Sequence, residues 1–363
     1  MKVAFPYMGR IHVPLAAILA ELGAEPVVPP PPDREVLELG VRLAPEMMCI
    51  PFKLTLGNMV RSLEMGADVL LYTSGSWSCR YGYYGRIQQQ ILQDLGYEYR
   101  LIDFRHDQIP VVARFVVGLS EGSLRRALGR LARAVRIGWF KSSAVDEAEA
   151  WARSTAPFAR DPSATRRLLD RVVAEVDRAG KVAELKRLRS GIEARFRTVP
   201  VNGRRHAVRV KVVGESYCTI EPFVSFDILR RLGELGVRAD PFLTGHRWLG
   251  FHSFRIGSDH LASARQAAKK YWRYCVGGED ENSLGHLILA AEQGYDGVVH
   301  VHPFGCMPST VVQPAMVKAS QDYDIPYLSL SVDEHTSETG MSTRLEAFVS
   351  LLERRSARAA QSA

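Results

Sequence analysis

A chain of 363 residues, 46% hydrophobic and 24% charged, is too apolar for disorder and longer than one core comfortably serves, so two α/β units with a helical insert are expected. No apolar run approaches the roughly 18 residues that a membrane span needs, and Met1 to Pro6 lacks the apolar stretch of a signal peptide, so a cytoplasmic protein without a membrane partner is expected. The net charge of +7 is concentrated in residues 114–197, which hold 19 Lys and Arg against 10 Asp and Glu.

Taken in chain order, Lys2 to Pro6 reads as a strand, Ile11 to Leu22 as a helix, Pro26 to Val28 as a short strand and Pro29 to Pro32 as a loop. Phe52 to Met65 is then a helix, Asp68 to Tyr72 a strand, Tyr84 to Leu95 a helix and Glu98 to Ile102 a strand. Such alternation predicts a doubly wound parallel sheet over residues 1–113. From Phe115 to Val199 the apolar residues recur at helical spacing, which predicts a helical domain over residues 114–203. Its many arginines read either as a solvated face or as a docking surface for a phosphorylated cofactor or an acidic partner. Nucleic acid is not expected, because aromatic residues do not interleave the basic ones. A second α/β domain over 204–363 follows: Ala207 to Val213 a strand, Phe223 to Leu235, Asp259 to Tyr274 and Ser283 to Gln293 helices, Gly297 to Val301 a strand, Thr310 to Gln321 a helix, Tyr327 to Ser331 a strand, and Met341 to Leu352 the closing helix. The two α/β halves have the pattern of structural cousins.

Five cysteines, an odd and sparse count, argue against a disulfide framework. Cys49, Cys79 and Cys306 each fall where a strand or loop gives way to a helix, in Gly- or Pro-punctuated contexts, which is where open α/β sheets gather ligands. A thiolate at a helix start gains from the positive helix end. The bland alternative for each is a small buried hydrophobe. Cys218 and Cys275 are assigned to packing. His300 and His302 share a strand face and could join His335 in a metal site, but no paired carboxylates at ligand spacing accompany them. Neither a phosphate-binding GxxxxGK[ST] loop nor a GxGxxG turn is present, so any ATP-driven step belongs to a partner.

The stretches Pro45-Glu46 through Asn58, Gly66-Ala67-Asp68, Cys79-Arg80-Tyr81-Gly82-Tyr83-Tyr84, Val213-Gly214-Glu215, Glu221-Pro222-Phe223, Asp296-Gly297-Val298, Pro303-Phe304-Gly305-Cys306-Met307-Pro308 and Asp322-Tyr323-Asp324-Ile325-Pro326 through Asp333-Glu334-His335-Thr336 resemble the 2-hydroxyacyl-CoA dehydratase and benzoyl-CoA reductase family, most of all its short branch labelled CoA protein activase. The resemblance implies two flavodoxin-like domains and a 4Fe-4S cluster held by Cys49, Cys79 and Cys306. Three thiolates leave one iron of a cubane without a protein cysteine, and so open to substrate. It further implies an ATP-dependent activator ATPase that supplies a low-potential electron, a paired cluster subunit or homodimer, and an acyl-CoA thioester as substrate. Glu46, Arg80, Tyr81, His302 and Glu334 are the candidate groups around the cluster. Gly277-Gly278-Glu279-Asp280 and Ser309 depart from the family pattern, which has Gly-Gly-His-Gly and an acidic residue there. A non-catalytic cluster carrier is the alternative from another class, and a His-dependent metal hydrolase a third reading.

Overall fold

Val3 and Ala4 are neighbours on one strand and therefore face opposite sides of a sheet, and both are fully buried. That pair alone requires helices on both faces. In the computed structural model, which describes residues 1–73, 79–104, 109–204, 206–254, 259 and 261–362, they sit on β1 (Lys2–Ala4), followed by α1 (His12–Leu22), β2 (Glu25–Val27), α2 (Arg34–Leu43), α3 (Ile50–Glu64), β3 (Val69–Tyr72), α4 (Tyr81–Asp94), β4 (Arg100–Asp103) and α5 (Ile109–Leu119). The long α6 (Leu124–Thr155), α7 (Pro162–Arg178) and α8 (Val182–Phe196) lead to β5 (Arg209–Gly214), α9 (Ser216–Ile220), α10 (Ile228–Glu234) and β6 (Arg238–Pro241). A short α11 (Gly245–Arg247) with a π-helical turn, α12 (Ala262–Ala268), α13 (Asp280–Glu292), β7 (Gly297–Pro303), α14 (Met307–Val311), α15 (Gln313–Asp322), β8 (Tyr327–Val332) and α16 (Glu338–Ser362) complete the order.

The chain divides into two compact units. The first comprises Met1–Val145, Glu175–Leu188 and Gly245–Ile256, and the second Asp146–Ala174, Arg189–Thr244 and Gly257–Ala363. Each is built on a four-stranded, all-parallel sheet, in the order β2-β1-β3-β4 and β6-β5-β7-β8 respectively. The two orders are the same winding, that of a flavodoxin-like sheet. In the first unit Val3, Val69, Leu71 and Ile102 meet Ile18, Leu19 and Leu22 of α1 and Phe115 and Leu119 of α5. On the opposite face Ala4, Leu70 and Tyr72 meet Phe52, Leu56 and Met59 of α3 and Tyr84 and Leu92 of α4. In the second unit every residue of β7 is buried, with α16 against the Gly297 face through Phe348 and Leu352 and α15 on the His300 side through Met316.

The two units also share a device that sets strand register. Asp68, just before β3, accepts a hydrogen bond from the backbone N–H of Lys2 at 2.7 Å, and Asp296, just before β7, accepts one from Arg209 at 2.7 Å. Both carboxylates clamp the start of the preceding central strand, so the expectation of structural cousins holds in detail.

The observed elements differ from the sequence expectation where local chemistry interrupts the periodicity. The helix expected over Phe223 to Leu235 begins only at Ile228, because Phe226 and Asp227 take left-handed φ values of 54° and 51° that no helix accommodates. Thr310 to Gln321 is two helices. Pro314 lacks an N–H for a continuous ladder, so α15 restarts at Gln313. Asp259 to Tyr274 contracts to Ala262–Ala268, with residue 260 outside the described residues. The α2 helix and β6 strand were not anticipated. The α2 helix is capped by Asp33, which accepts from the Val36 N–H at 2.8 Å. It crosses α3 so closely that a Cβ at Gly40 would lie 1.8 Å from the Lys53 carbonyl oxygen and one at Gly57 2.2 Å from that of Val36. Backbone contact this near fixes the loop that carries residues 44–49.

Candidate functional site

In each sheet the strand order reverses between its two central strands, β1 and β3 in the first and β5 and β7 in the second. The carboxyl ends beside such a reversal form the natural crevice for a ligand. All three singled-out cysteines lie in this setting and are half-buried. Cys79 follows β3 and Cys306 follows β7, so the two occupy matching places in the two units. Cys49 is the N-cap of α3, in extended conformation and with Pro51 in the first turn.

The first unit brings one of them, Cys49, to a phenol. Tyr84 Oη lies 2.5 Å from Cys49 Sγ. Burial pushes the Tyr84 phenol far above its usual value, the sulfur of Cys49 adds to the rise and that of Cys79 adds less, while the Arg80 guanidinium opposes it. Arg80 Nη1 also donates to the carbonyl of Met47 at 3.0 Å, tying the start of α4 to the loop before Cys49. Tyr81 stacks on Tyr72 at 6.0 Å and tilts against Tyr84 at 5.7 Å. Of the expected candidates, Arg80 thus reaches the loop that carries Cys49 and Tyr81 packs against Tyr84, the partner of Cys49, while Glu46 is exposed in the turn before Cys49. The residues between β3 and Cys79, 74–78, lie outside the described set.

In the second unit Cys306 is the N-cap of α14, and its thiol donates to Ser309 Oγ at 3.3 Å. Gly278 packs on Pro308, with a Cβ there 3.1 Å from the proline ring. The same loop carries Glu279, buried and accepting from Ser216 Oγ and, at 2.6 Å, from Asn282 Nδ2. Ser216 follows Glu215, whose side chain caps α9 by accepting from the Cys218 N–H at 2.9 Å. Burial raises both carboxyls above the ordinary glutamate value, and Glu279 adds repulsion at Glu215. These two carboxyls were missed by sequence reasoning, although Gly214-Glu215 and Gly277-Gly278 marked their loops. The burial of Glu279 and half-burial of Glu215 are tertiary properties.

His302 is pinned by both ring nitrogens. The Pro303 carbonyl, 3.2 Å from Nδ1, can only accept, so Nδ1 carries the proton and Nε2 accepts from the Gln313 amide at 3.0 Å and Ser329 Oγ at 3.1 Å. A protonated ring would aim a second N–H at the Gln313 donor. His300 is fully buried, its ring 4.7 Å from that of His302, with Nδ1 3.0 Å from Tyr327 Oη and Nε2 unpartnered among the described residues. Burial holds both imidazoles below the usual histidine value, His300 the more strongly, with His302 adding to it. His335 is exposed in the turn after β8, where its N–H donates to Asp333 at 3.0 Å, and Glu334 is half-buried beside it. Among the described residues no group of three or more His, Cys, Asp or Glu stands ready to hold a metal ion, so neither His300, His302 and His335 nor Cys49, Cys79 and Cys306 form one.

Because these two histidines fold as neutral rings but ionise near 6.5 in the unfolded chain, the unfolded state binds more protons below that pH and stability falls as the solution is acidified. The melting temperature should therefore drop between pH 7 and pH 5 by thermal denaturation. His300→Gln keeps a polar partner for Tyr327 and should flatten that drop; an unchanged slope contradicts the assignment.

Cys218 is fully buried beneath β5, as expected of a packing residue. Cys275 is not. It is exposed, and its thiol donates to Asp280 Oδ1 at 3.1 Å; burial of the sulfur and the Asp280 charge push it up to about 12. Asp280 is fully buried and also accepts from Trp272 Nε1 at 2.9 Å and the Val276 N–H at 2.7 Å, so Cys275 belongs to a turn-fixing network.

Among the described residues no helix is long and apolar enough to cross a membrane. Residues 130–352 match the family model described as 2-hydroxyglutaryl-CoA dehydratase, D-component. The match spans more than half of the chain and takes in Cys306, while Cys49 and Cys79 precede it. No curated protein sequence matches the chain.

Proposed function

Since the chain belongs to the 2-hydroxyglutaryl-CoA dehydratase D-component family, and so is a component of the 2-hydroxyacyl-CoA dehydratase type, we propose that it is the iron–sulfur member of such a system, on the short branch labelled CoA protein activase. In this reading Cys49, Cys79 and Cys306 hold a 4Fe-4S cluster. The observation that supports it is the half-buried Cys49 thiol 2.5 Å from the Tyr84 hydroxyl, at the carboxyl end of a parallel sheet, with half-buried Cys79 two residues before the helix that carries Tyr84. Sulfur donors with a phenol beside them suit an iron–sulfur group, whereas a hard cation requires carboxylate and carbonyl oxygens.

When bound, such a cluster supplies one-electron chemistry at low potential. The chain's own residues do the rest. The fifteen-residue α3 directs its positive end at Cys49 and favours the thiolate. Once that sulfur is a thiolate only Tyr84 can donate in their contact, and Arg80 holds the Cys49 loop against the start of α4. In the second unit, Glu215 and Glu279 are carboxyls that burial keeps protonated to higher pH than usual. They could give or take a proton at the carboxyl end of that sheet. An acyl-CoA thioester is the substrate class, and the electron comes from a separate ATP-dependent activator, with a paired cluster subunit or a second copy completing the assembly.

Electron paramagnetic resonance of anaerobically purified, reduced protein tests this reading. A cluster signal that shifts on addition of a 2-hydroxyacyl-CoA supports it, and a protein without any such signal sinks it. Tyr84→Phe sharpens the test. Loss of a hydrogen bond to a ligand sulfur disfavours the reduced, more negative state, so the midpoint potential should fall by roughly 50 mV, about tenfold in a one-electron equilibrium, with iron content unchanged. An unaltered potential would remove Tyr84 from the site.

A further inference from the structure

The α6 helix carries two apolar stripes, and the larger side chains are on the outer one. Inward, Ala127, Ala134 and Ile137 are buried, Ala134 within the core under β1, and Gly138 seats against Ile18. Outward, Leu124, Leu128, Leu131 and Val135 follow one another at alternating spacings of four and three, the seam of a coiled coil. Leu124 is 63%, Leu128 58% and Leu131 38% exposed. The stripe continues into an open apolar groove of about 540 Å³ bounded by Ala132, Val135, Arg136 and Trp139. A soluble surface seldom leaves a row of leucines in water unless something covers it.

Charge indicates what does. From Gly122 to Val145 the chain has five arginines and Lys141 and no acidic residue. Arg130 turns away to the carbonyls of Leu22 and Leu119, and Arg126 pairs with Glu121. Arg125 and Arg136 remain exposed along the stripe. Arg133 pairs with Glu21 at 3.7 Å, so a second copy laid along this seam would set the exposed Arg125 and Arg136 against their counterparts, a repulsive pairing. We propose that the outer face of α6 is the docking site for an amphipathic helix of another protein, one with apolar residues at the same alternating spacing and Asp or Glu on the flank that meets Arg125 and Arg136. The proposal is independent of the iron chemistry.

A fluorescent peptide of about four heptads, with Leu at the a and d positions and Glu at e and g, tests it by anisotropy with the full chain. Its own glutamates oppose self-association. Saturable binding is expected, at least tenfold weaker for the Leu128→Ser, Leu131→Ser double variant. The Arg125→Glu, Arg136→Glu double variant should lose the Glu-flanked peptide and gain a Lys-flanked one. Equal binding of the Lys-flanked peptide to the wild-type chain, or unchanged binding by both variants, overturns the proposal. So does a wild-type dimer in sedimentation that the leucine substitutions dissolve, which would make a second copy the occupant.

Discussion

Replacing Cys49, Cys79 or Cys306 by alanine should reduce the iron retained through anaerobic purification at least tenfold, while Cys218→Ala and Cys275→Ala should leave it unchanged. The contrast follows from placement. Cys49 and Cys306 stand at helix starts, and Cys79 two residues before α4; all three are half-buried, hence within reach of a bound group. Cys218 is sealed in the core, and Cys275 donates its proton to Asp280 and is held as a neutral thiol by burial and that charge. A thiol that resists ionisation is a poor metal ligand. If Cys275→Ala lost iron as completely as Cys79→Ala, the assignment of ligands would be wrong even with the family correct.

Gly214→Ala should destabilise the second unit by roughly 2–6 kcal/mol, combining about 1–3 kcal/mol of backbone strain with about 1–3 kcal/mol of overpacking. Gly214 ends β5 with φ 145°, and a Cβ there would lie 1.8 Å from the carbonyl oxygen of Val301 on β7. That oxygen already accepts the Glu215 N–H at 3.0 Å. The two central strands thus touch where the chain turns to deliver Glu215 and Ser216, and a methyl group must push them apart. Chemical denaturation read by tryptophan fluorescence measures the loss; a variant within about 0.5 kcal/mol of the parent, the range of an ordinary surface substitution, would mean that the contact is easily relaxed.

The sheets were legible wherever a strand is central and apolar. Val298 and Val299 between Gly297 and the turn at Pro303 mark β7, and Val69 to Tyr72 mark β3. Edge strands were harder. In β6, Arg238 and Asp240 alternate with buried Ala239 and Pro241, and Pro241 is tolerated because that strand lies at the sheet edge. The α2 helix was concealed by the preceding prolines and by Gly40, which reads as a breaker in sequence but in the fold admits the backbone of α3. The setting of Cys49 and Cys306 could be read from the prolines that open α3 and α14 and from the turn after β7. Their surroundings could not. Tyr84 reaches Cys49 across 35 positions only because α3 and α4 pack on one sheet face, and the Glu215–Glu279 region depends on a contact between Ser216 and Glu279, 63 positions apart, at the end of β5. The paired histidines were placed correctly on one strand face, but the partners that hold them neutral, Gln313, Ser329 and Tyr327, come from elements whose packing no local pattern states.

Iron and acid-labile sulfide measured per chain in wild-type protein, purified without oxygen, bear most directly on the account. It predicts about four of each, as one cubane requires; a chain that carries zinc or no metal at all under those conditions would contradict it.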